Sequence, residues 1–319
     1  MGCSAGPNIV EDGLVLSLDP GNILKSVDST SNNFLQNGSF AGGLGVTYEA
    51  GSNPTNTIIE LKNPGDSNYV VRQNGSNTEY QMNIDGGAQG TLSASTQYVM
   101  SGWYATSDDY NGGDTMFHAR AHSTGGTHNA TGTGIGTLLY SVEVGGLTWE
   151  YRYQTITTPS DYNGNFDWYM GYGTTNTAGY RYYTGLKVEE GSFPSLLDLS
   201  RSGNDAKVIN GTSYSSSNGG SLSFDGSNDR VELSSNAVGN ENQFTIDIWY
   251  KRGSQTDKYL YSESSNSSSN PFWGITSNSS ASSNSKLRIY ARNDSGTQEM
   301  NFQPSGSEYA IYDNQIHHL

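Results

Sequence analysis

The sequence predicts an all-β protein, and three observations favour this fold class. Gly, Ser, Asn and Thr are abundant, with 40 Gly among 319 residues, and the turns between strands require these residue types. No segment shows the apolar spacing of a long amphipathic helix. Short segments that alternate apolar and polar residues recur at intervals of roughly 10 to 20 residues, which is typical of antiparallel β-sandwiches.

The length of the chain favours two domains, because a single hydrophobic core rarely grows beyond ~250 residues. Only 33% of the residues are hydrophobic, but 22 Tyr, 9 Phe and 5 Trp supply large apolar areas from few positions. We therefore expect two β-sandwiches with thin cores that are rich in aromatic side chains.

The first alternating segment, "GLVLSLD" at residues 13–19, stands apart from the others. The polar stretch "PGNILKSVDSTSNN" follows it and breaks the pattern at Pro20 and Gly21. A single strand needs partners, and the neighbouring sequence offers none. We therefore predict that this strand pairs with strands beyond residue 195.

A continuous series of alternating segments then extends to about residue 191 and is typical of a sandwich of about eight strands. The series comprises "TIIEL", "NYVVRQ", "EYQMNI", "QYVMSGWYAT", "DTMFHARAH", "GTLLYSVEV", "LTWEYRYQTI", "FDWYMGYG" and "YRYYTGLKVEE".

A second series follows the interruption "GSFPSLLDLSRSGNDAKVING" and predicts the other sandwich. Its segments are "SLSF", "RVEL", "FTIDIWYKR", "YLYSE", "WGITS", "KLRIYAR", "EMNFQ" and "AIYDNQIHHL". Within it, residues 218–233, "NGGSLSFDGSNDRVEL", are interpreted as a hairpin whose two strands meet at an Asp-Gly turn.

Three separated motifs in the same order resemble the concanavalin A-like, laminin G-like domains of structural proteins of tailed phages, particularly marine phages such as cyanophages. They are "GPNIVEDGLVLSLDPGN", "LLDLSRSGNDAKVINGTSYSSSNGGSLSFDGSNDRVEL" and "FTIDIWYKR". The resemblance implies that residues 1–31 supply an N-terminal arm and the first strand of a sandwich that residues 193–319 continue. Residues 32–192 would then be an insertion.

The inserted segment is itself similar to jelly-roll carbohydrate-binding modules. The similarity lies in "NNFLQNGSFAGGLG", "YVMSGWYA", "LTWEYRYQTITTP" and "YYTGLKVEEGSFPS". Related modules often place acidic residues near a structural calcium in the last strand, where this chain has Thr184 and Gly185. We therefore expect no calcium in the insertion.

Charge argues against nucleic acid as a partner, since the formal net charge is -15 and Lys and Arg form no run. Residues 1–12 lack the basic and apolar regions of a secretory signal, and Cys3, the one cysteine of the chain, allows no internal disulfide. No segment approaches the ~20 apolar residues that span a bilayer. We expect a protein made in a host cytoplasm and not inserted into membranes.

A glycoside hydrolase needs two carboxylates on either side of the scissile bond. Hydrolases of the concanavalin A-like fold carry Glu, Asp and Glu on alternate positions of one strand, whereas "FTIDIWYKR" offers Asp247 alone between Thr245 and Trp249. Glu143 and Glu150 have no partner at strand spacing. We therefore expect no enzyme activity.

The histidines of "FHARAH" share one face of a strand with Arg120, and His128 follows after a Gly-rich loop. The Cβ atoms of His118 and His122 would lie ~13 Å apart along the strand, which one metal ion cannot bridge. We expect surface or interface histidines and no metal site.

Oxygen ligands suitable for Ca²⁺ occur close together in "FDGSNDRV", at Asp225, Asn228 and Asp229. The same residues also suit a hairpin turn at Asp225-Gly226, and turn chemistry is the interpretation that we prefer. No other cofactor is expected.

Aromatic residues on strands are the candidates for glycan stacking, namely Trp149, Tyr151, Tyr153, Trp168 and Trp273. In "LTWEYRYQTI" the aromatic residues occupy one face of the strand and Glu150, Arg152 and Gln154 the other. Burial of these three polar groups without partners would be unfavourable, which favours the alternative that the aromatic residues belong to the core.

These observations together predict a non-catalytic structural or adhesive protein on a phage virion surface, in a tail fibre or a capsid decoration, that touches host-surface glycans. A cellular glycan-binding adhesin is the alternative, and a glycoside hydrolase comes third. Partner virion proteins and a homo-oligomer are expected, because a laminin G-like sandwich that ends at "DNQIHHL" exposes strand edges that a partner would cover.

Overall fold

The computed structural model describes residues 14, 16–20, 33–35, 41, 48–50, 56–65, 67–74, 80–82, 92–113, 115–131, 134–171, 178–196, 199–200, 204–216, 220–238, 243–253, 258–264, 271–277, 287–303 and 314–319. Every helix or strand assigned within these ranges is a β-strand, and all the ladders are antiparallel. The predicted all-β class is confirmed. A search of the same ranges finds no helix with the length and apolarity to cross a membrane.

Two sheets are built from residues 48–190. Their strands are β1 (Tyr48–Ala50), β2 (Asn56–Glu60), β3 (Tyr69–Asn74), β4 (Tyr80–Met82), β5 (Gln97–Thr106), β6 (His118–Ser123), β7 (His128–Ala130), β8 (Thr137–Val144), β9 (Leu147–Thr157), β10 (Tyr162–Met170) and β11 (Tyr180–Glu190). The five-stranded sheet has the order β1-β4-β10-β6-β7, and the six-stranded sheet has the order β2-β3-β11-β5-β9-β8.

The first core lies between these two sheets. Alternate residues of β5 and β10 supply it, including Met100, Tyr98 and Trp168, and Phe117 stacks on Trp168 with ring centroids 5.6 Å apart. The indole N–H of Trp168 donates a hydrogen bond to the Met116 carbonyl at 2.9 Å. The strand alternation in the sequence thus produces a closed sandwich, with the polar atom of its largest buried ring satisfied.

A further segment, residues 193–233, continues directly from the six-stranded sheet. Its strands are β12 (Phe193–Leu196), β13 (Ala206–Ile209), β14 (Ser213–Ser215), β15 (Ser221–Ser223) and β16 (Arg230–Leu233). They form a three-stranded ladder, β12-β13-β16, and a two-stranded ladder, β14-β15.

The second core lies between this segment and the six-stranded sheet, on the face opposite to the first core. Trp149 and Tyr151 of β9 contribute to it from the sheet, and Val208 contributes from the segment. Phe193 joins the two layers, because its ring packs 5.3 Å from the ring of Tyr153 and 5.6 Å from that of Tyr214. The six-stranded sheet is consequently buried on both faces.

A buried ion pair accompanies the second core. Lys187 Nζ lies 3.1 Å from Glu189 Oε2, and the two side chains are 0% and 1% exposed. The other carboxylate oxygen of Glu189 accepts a hydrogen bond from the backbone N–H of Ser195 at 2.9 Å. The ion pair therefore links β11, which carries both charged side chains, to β12 of the covering segment.

Residues 1–234 form one compact unit and residues 235–319 another. The sequence-based division between residues 192 and 193 lies inside the first unit, because the aromatic face of β9 packs under the segment that follows. The assignment of residues 193–319 to a laminin G-like sandwich stays a prediction.

The described residues of the early segment "GLVLSLD" contact residues beyond 195, whereas its predicted pairing with later strands stays a prediction. The backbone N–H of Leu199 donates to the Ser17 carbonyl at 2.9 Å, and Leu18 packs against the second core. None of the described residues of this segment belongs to an assigned strand.

The predicted hairpin at residues 218–233 is wrong in one respect, because β15 and β16 do not pair with each other. Instead β15 pairs with β14 and β16 pairs with β13. Residues 206–215 and 221–233 are therefore the two arms of one longer hairpin, whose ladder is interrupted between the two paired regions.

Asp229 bridges this interruption. Its Oδ1 accepts the backbone N–H of Gly211 and its Oδ2 accepts the backbone N–H of Asp225, both at 2.8 Å. Asp225 in turn accepts the N–H of Ser227 at 2.7 Å, and Gly226 has a φ of 81°, which favours glycine. These contacts order the bend at Asp225-Gly226, although the two strands that flank it do not pair with each other.

The second unit contains β17 (Trp249–Lys251), β18 (Tyr259–Glu263), β19 (Phe272–Ser277), β20 (Leu287–Arg292), β21 (Gln298–Phe302) and β22 (Ile316–His318). β18 to β21 form a four-stranded meander, and β17 pairs with β22. Each segment that the sequence predicted as a strand from residue 244 onwards overlaps one of these six strands.

We predict that Asp229→Ala will remove hydrogen-exchange protection from the amides of Gly211 and Asp225. Both amides bond to the Asp229 carboxylate, and loss of such bonds lowers local stability by about 1 kcal/mol each. Hydrogen exchange read by mass spectrometry over residues 206–233 measures the effect. The matched control is Asn228→Ala, whose exposed side chain makes neither contact, and equal protection in both variants would contradict the assigned role.

Candidate functional site

The candidate site is the outer face of the five-stranded sheet. Strand alternation directs Phe117, Ala119 and Ala121 into the first core, so the intervening residues of β6 point to the opposite side. The same alternation applies in β10, where Phe166, Trp168 and Met170 are core residues. We call the resulting surface the polar face, and it comprises His118, Arg120, His122, Asp167 and Tyr169.

Asp167 is the centre of the polar face. Its Oδ2 lies 2.7 Å from His122 Nε2 and accepts a hydrogen bond from the Tyr169 hydroxyl at 2.9 Å. The side chains of His122 and Asp167 are 28% and 16% exposed, so the carboxylate is accessible from solvent. Two donors from two strands thus fix one acceptor on the surface of the sheet.

Aromatic and cationic groups surround this carboxylate. The guanidinium carbon of Arg120 lies 5.1 Å from the centroid of the Tyr169 ring, and the His118 ring lies 5.5 Å from the same ring. The rings of His122 and His128 are 5.6 Å apart. Arg120 and His122 are partly exposed, whereas His118 and Tyr169 are buried, so Arg120 and His122 form the rim of the site.

The pKa of Tyr169 is raised from its ordinary value of 10.0 to about 12. Burial of the phenol is the largest cause, and the hydrogen bond to the Asp167 carboxylate adds to it, because both disfavour the phenolate. Arg120 acts in the opposite direction. Tyr169 is therefore a neutral donor throughout the physiological range.

This arrangement can bind a neutral ligand that is rich in hydroxyl groups. The guanidinium and the imidazoles can donate to such a ligand, and the carboxylate can accept from it, in positions already held by other contacts. Among the residues that the structure describes, no group of three or more His, Cys, Asp and Glu side chains is placed to hold a metal ion.

Three of the aromatic residues predicted to stack on glycans lie in the cores. Trp149 and Tyr151 are 0% and 3% exposed under residues 193–233, and Trp168 is 0% exposed between the sheets. A sugar can stack only on an accessible ring, so this burial favours the core interpretation for all three. Glu150 and Arg152, on the other face of β9, satisfy each other in an ion pair at 2.8 Å.

The two remaining candidates are partly exposed, and their glycan role stays a prediction. The phenol of Tyr153 is partly buried, and this burial raises its pKa. Trp273 lies between Phe244 and Tyr261, with ring centroids 5.0 and 5.1 Å away, and its indole N–H points to Glu263 Oε2 at 3.4 Å. Each has part of its ring covered by a neighbour.

Sequence reasoning missed the two central residues of the polar face, Asp167 and Tyr169. The alternation of the segment "FDWYMGYG" contains the signal, because Phe166 and Trp168 leave Asp167 and Tyr169 for the other face. What the sequence lacks is the partner, since His122 lies 45 residues away along the chain.

No protein-family model matches the chain, and the curated proteins contain no match either. Among solved structures, the enzymatically active domain of tailspike protein 4 from bacteriophage CBA120 is 14% identical, with a TM-score of 0.35 over 50% of this chain and 21% of that chain. The CBM22-1 xylan-binding domain of Xyn10C from Paenibacillus barcinonensis is 8% identical, with a TM-score of 0.31 over 52% of this chain and 96% of that chain.

The chain thus matches about a fifth of the tailspike domain and nearly all of the xylan-binding domain. The antiparallel sheets of this chain are established by its own strand pairing, independently of both likenesses. The binding role proposed below for the polar face is inferred from its own residues and not from these two likenesses.

We predict that the contribution of Tyr169 to stability will be constant below pH 10 and will decline as the pH rises towards 12. The raised pKa means that the folded state retains the phenolic proton more strongly than the unfolded state, so ionisation at high pH removes this preference. Urea unfolding of the wild type and Tyr169→Phe across this range measures the difference, and the other tyrosines cancel in the comparison. A difference that stays constant up to pH 12 would contradict the raised pKa of Tyr169.

Proposed function

We propose that the chain is a non-catalytic glycan-binding protein of a phage virion surface, in a tail fibre or a capsid decoration, and that its polar face contacts host-surface glycans. The observation that carries the binding role is the fixed carboxylate of Asp167, held by His122 and Tyr169 beside the Arg120 guanidinium. Groups that are already in position lose little conformational entropy when a ligand binds.

The chemistry of the polar face suits saccharides better than the other common ligands. A nucleic acid or phosphate ligand requires clustered cations, whereas here a carboxylate lies at the centre and the whole chain has a formal net charge of -15. An apolar ligand requires an apolar pocket, whereas this face presents imidazole, guanidinium and carboxylate groups. Hydroxyl groups can donate to and accept from all of these.

The virion role rests on the sequence motifs that resemble those of tailed-phage structural proteins, and the partners proposed are other virion proteins and further copies of the chain. Many weak sites on one particle would gain avidity through effective concentration. The alternative, a cellular adhesin, would use the same face for the same class of ligand. Hydrolysis is not proposed, because the required pair of carboxylates is missing from the strand "FTIDIWYKR".

We predict that Arg120→Ala and Asp167→Asn will each weaken saccharide binding about tenfold, since a hydrogen bond to a charged group contributes about 1.5 kcal/mol. The full chain would be tested on an immobilised panel of bacterial surface polysaccharides, with recovery of the intact polysaccharide after incubation. Arg230→Ala is the matched control, because Arg230 is exposed and distant in sequence from the polar face. Equal binding by all variants, or cleavage of the polysaccharide, would contradict the proposal.

The virion role predicts that purified particles of the phage that encodes the chain will contain it in amounts similar to other structural proteins. Mass spectrometry of particles purified through a density gradient measures this. Its absence from particles, together with its presence on cell surfaces, would overturn the virion role and favour the cellular adhesin.

A further inference from the structure

The paired strands β17 and β22 of the second unit have one face that is strongly exposed. Trp249 and Lys251 alternate along β17, Asp247 precedes this strand by two residues, and Ile316 and His318 lie opposite Lys251 and Trp249 on β22. All five are exposed, whereas the residues between them are half-buried. The exposed fraction of Trp249 reaches 69%, the highest among the large hydrophobic residues that the structure describes.

The ring of Trp249 is held in a fixed orientation. The imidazole of His318, directly opposite in the ladder, stacks on it with ring centroids 4.3 Å apart and planes inclined by 10°. His318 Nε2 in turn lies 2.8 Å from Asp247 Oδ1. Because the imidazole covers one side of the indole and the ring is still largely exposed, the opposite side of the indole is open.

We propose that Trp249, His318 and Asp247 form a second saccharide-binding platform. An open indole face is suited to the C–H groups of a sugar ring, and the carboxylate and imidazole lie beside it to bond the hydroxyl groups. The platform belongs to the ligand class of the proposed function but shares no residue with the polar face. Either site can therefore fail in experiment without the other.

A saccharide fits this surface better than a protein partner does. A protein hot spot is usually an aromatic anchor enclosed by contacts that exclude water. Here the indole lies between Asp247, whose side chain is 68% exposed, and the exposed Lys251, so charged groups stand on both sides of a single ring. Such a layout places an apolar face and hydrogen-bonding groups within the span of one sugar residue.

The sequence contained part of this signal. Asp247 and Trp249 occupy alternate positions of "FTIDIWYKR". His318 lies 71 residues further along the chain, and only the β17–β22 register brings it onto the ring.

The test uses the full chain on the same polysaccharide panel, supplemented by hydroxyl-radical footprinting read by mass spectrometry. We expect Trp249→Ala to weaken binding of at least one polysaccharide about tenfold, and Asp247→Asn to weaken it less. We also expect the bound polysaccharide to protect Trp249 from oxidation. Phe302→Ala is the matched control, because Phe302 is also an exposed aromatic residue of the second unit and should bind as the wild type does.

Three outcomes would overturn the platform. The first is unchanged binding by Trp249→Ala across the panel, and the second is equal loss in Phe302→Ala. The third is protection of Trp249 that depends on protein concentration without polysaccharide, since this would indicate a protein contact. Loss of binding in Arg120→Ala but not in Trp249→Ala would contradict this platform alone, and the reverse would contradict the polar face alone.

Discussion

The burial of the six-stranded sheet on both faces is the constraint on which the rest of the first unit depends. One face packs against the five-stranded sheet, and the other packs against residues 193–233. Strands such as β5, which is buried at eight consecutive positions, can exist only in this situation. The aromatic face of β9 would be an exposed apolar patch without the covering segment.

Within the first unit, this constraint also explains why the proposed binding face lies on the outer sheet. The middle strands of the central sheet, β5 and β11, have no free face, so the aromatic residues there are used for packing between layers. The five-stranded sheet contributes only one face to a core, and its other face carries hydrogen-bonding side chains instead of apolar ones. Binding chemistry is therefore assigned to the outer layer, where Asp167 is held by donors from its own strand and from β6.

The sequence was sufficient for the fold class and for most strands, because alternation is a local property of the chain. It could not decide which face of β9 is covered, since Trp149 and Tyr151 on one side and Glu150 on the other are both compatible with an exposed surface. The sequence also predicted the wrong partner for β16. This strand pairs with β13, where Ile209 lies opposite Arg230, and not with the strand that precedes the Asp225-Gly226 turn. The polar face escaped sequence reasoning for the same reason, since its contacts join residues that are distant along the chain.

The buried pair of Lys187 and Glu189 has a consequence for how this protein can evolve. Removal of one member of such a pair leaves an uncompensated charge in a dry environment, at about 3 to 5 kcal/mol, whereas replacement of both by apolar side chains can be neutral. An intermediate with one change is thus much less stable than either end point. The two positions are expected to change together among descendants of this sequence, whereas the bond from the backbone N–H of position 195 to Glu189 does not depend on the side chain there.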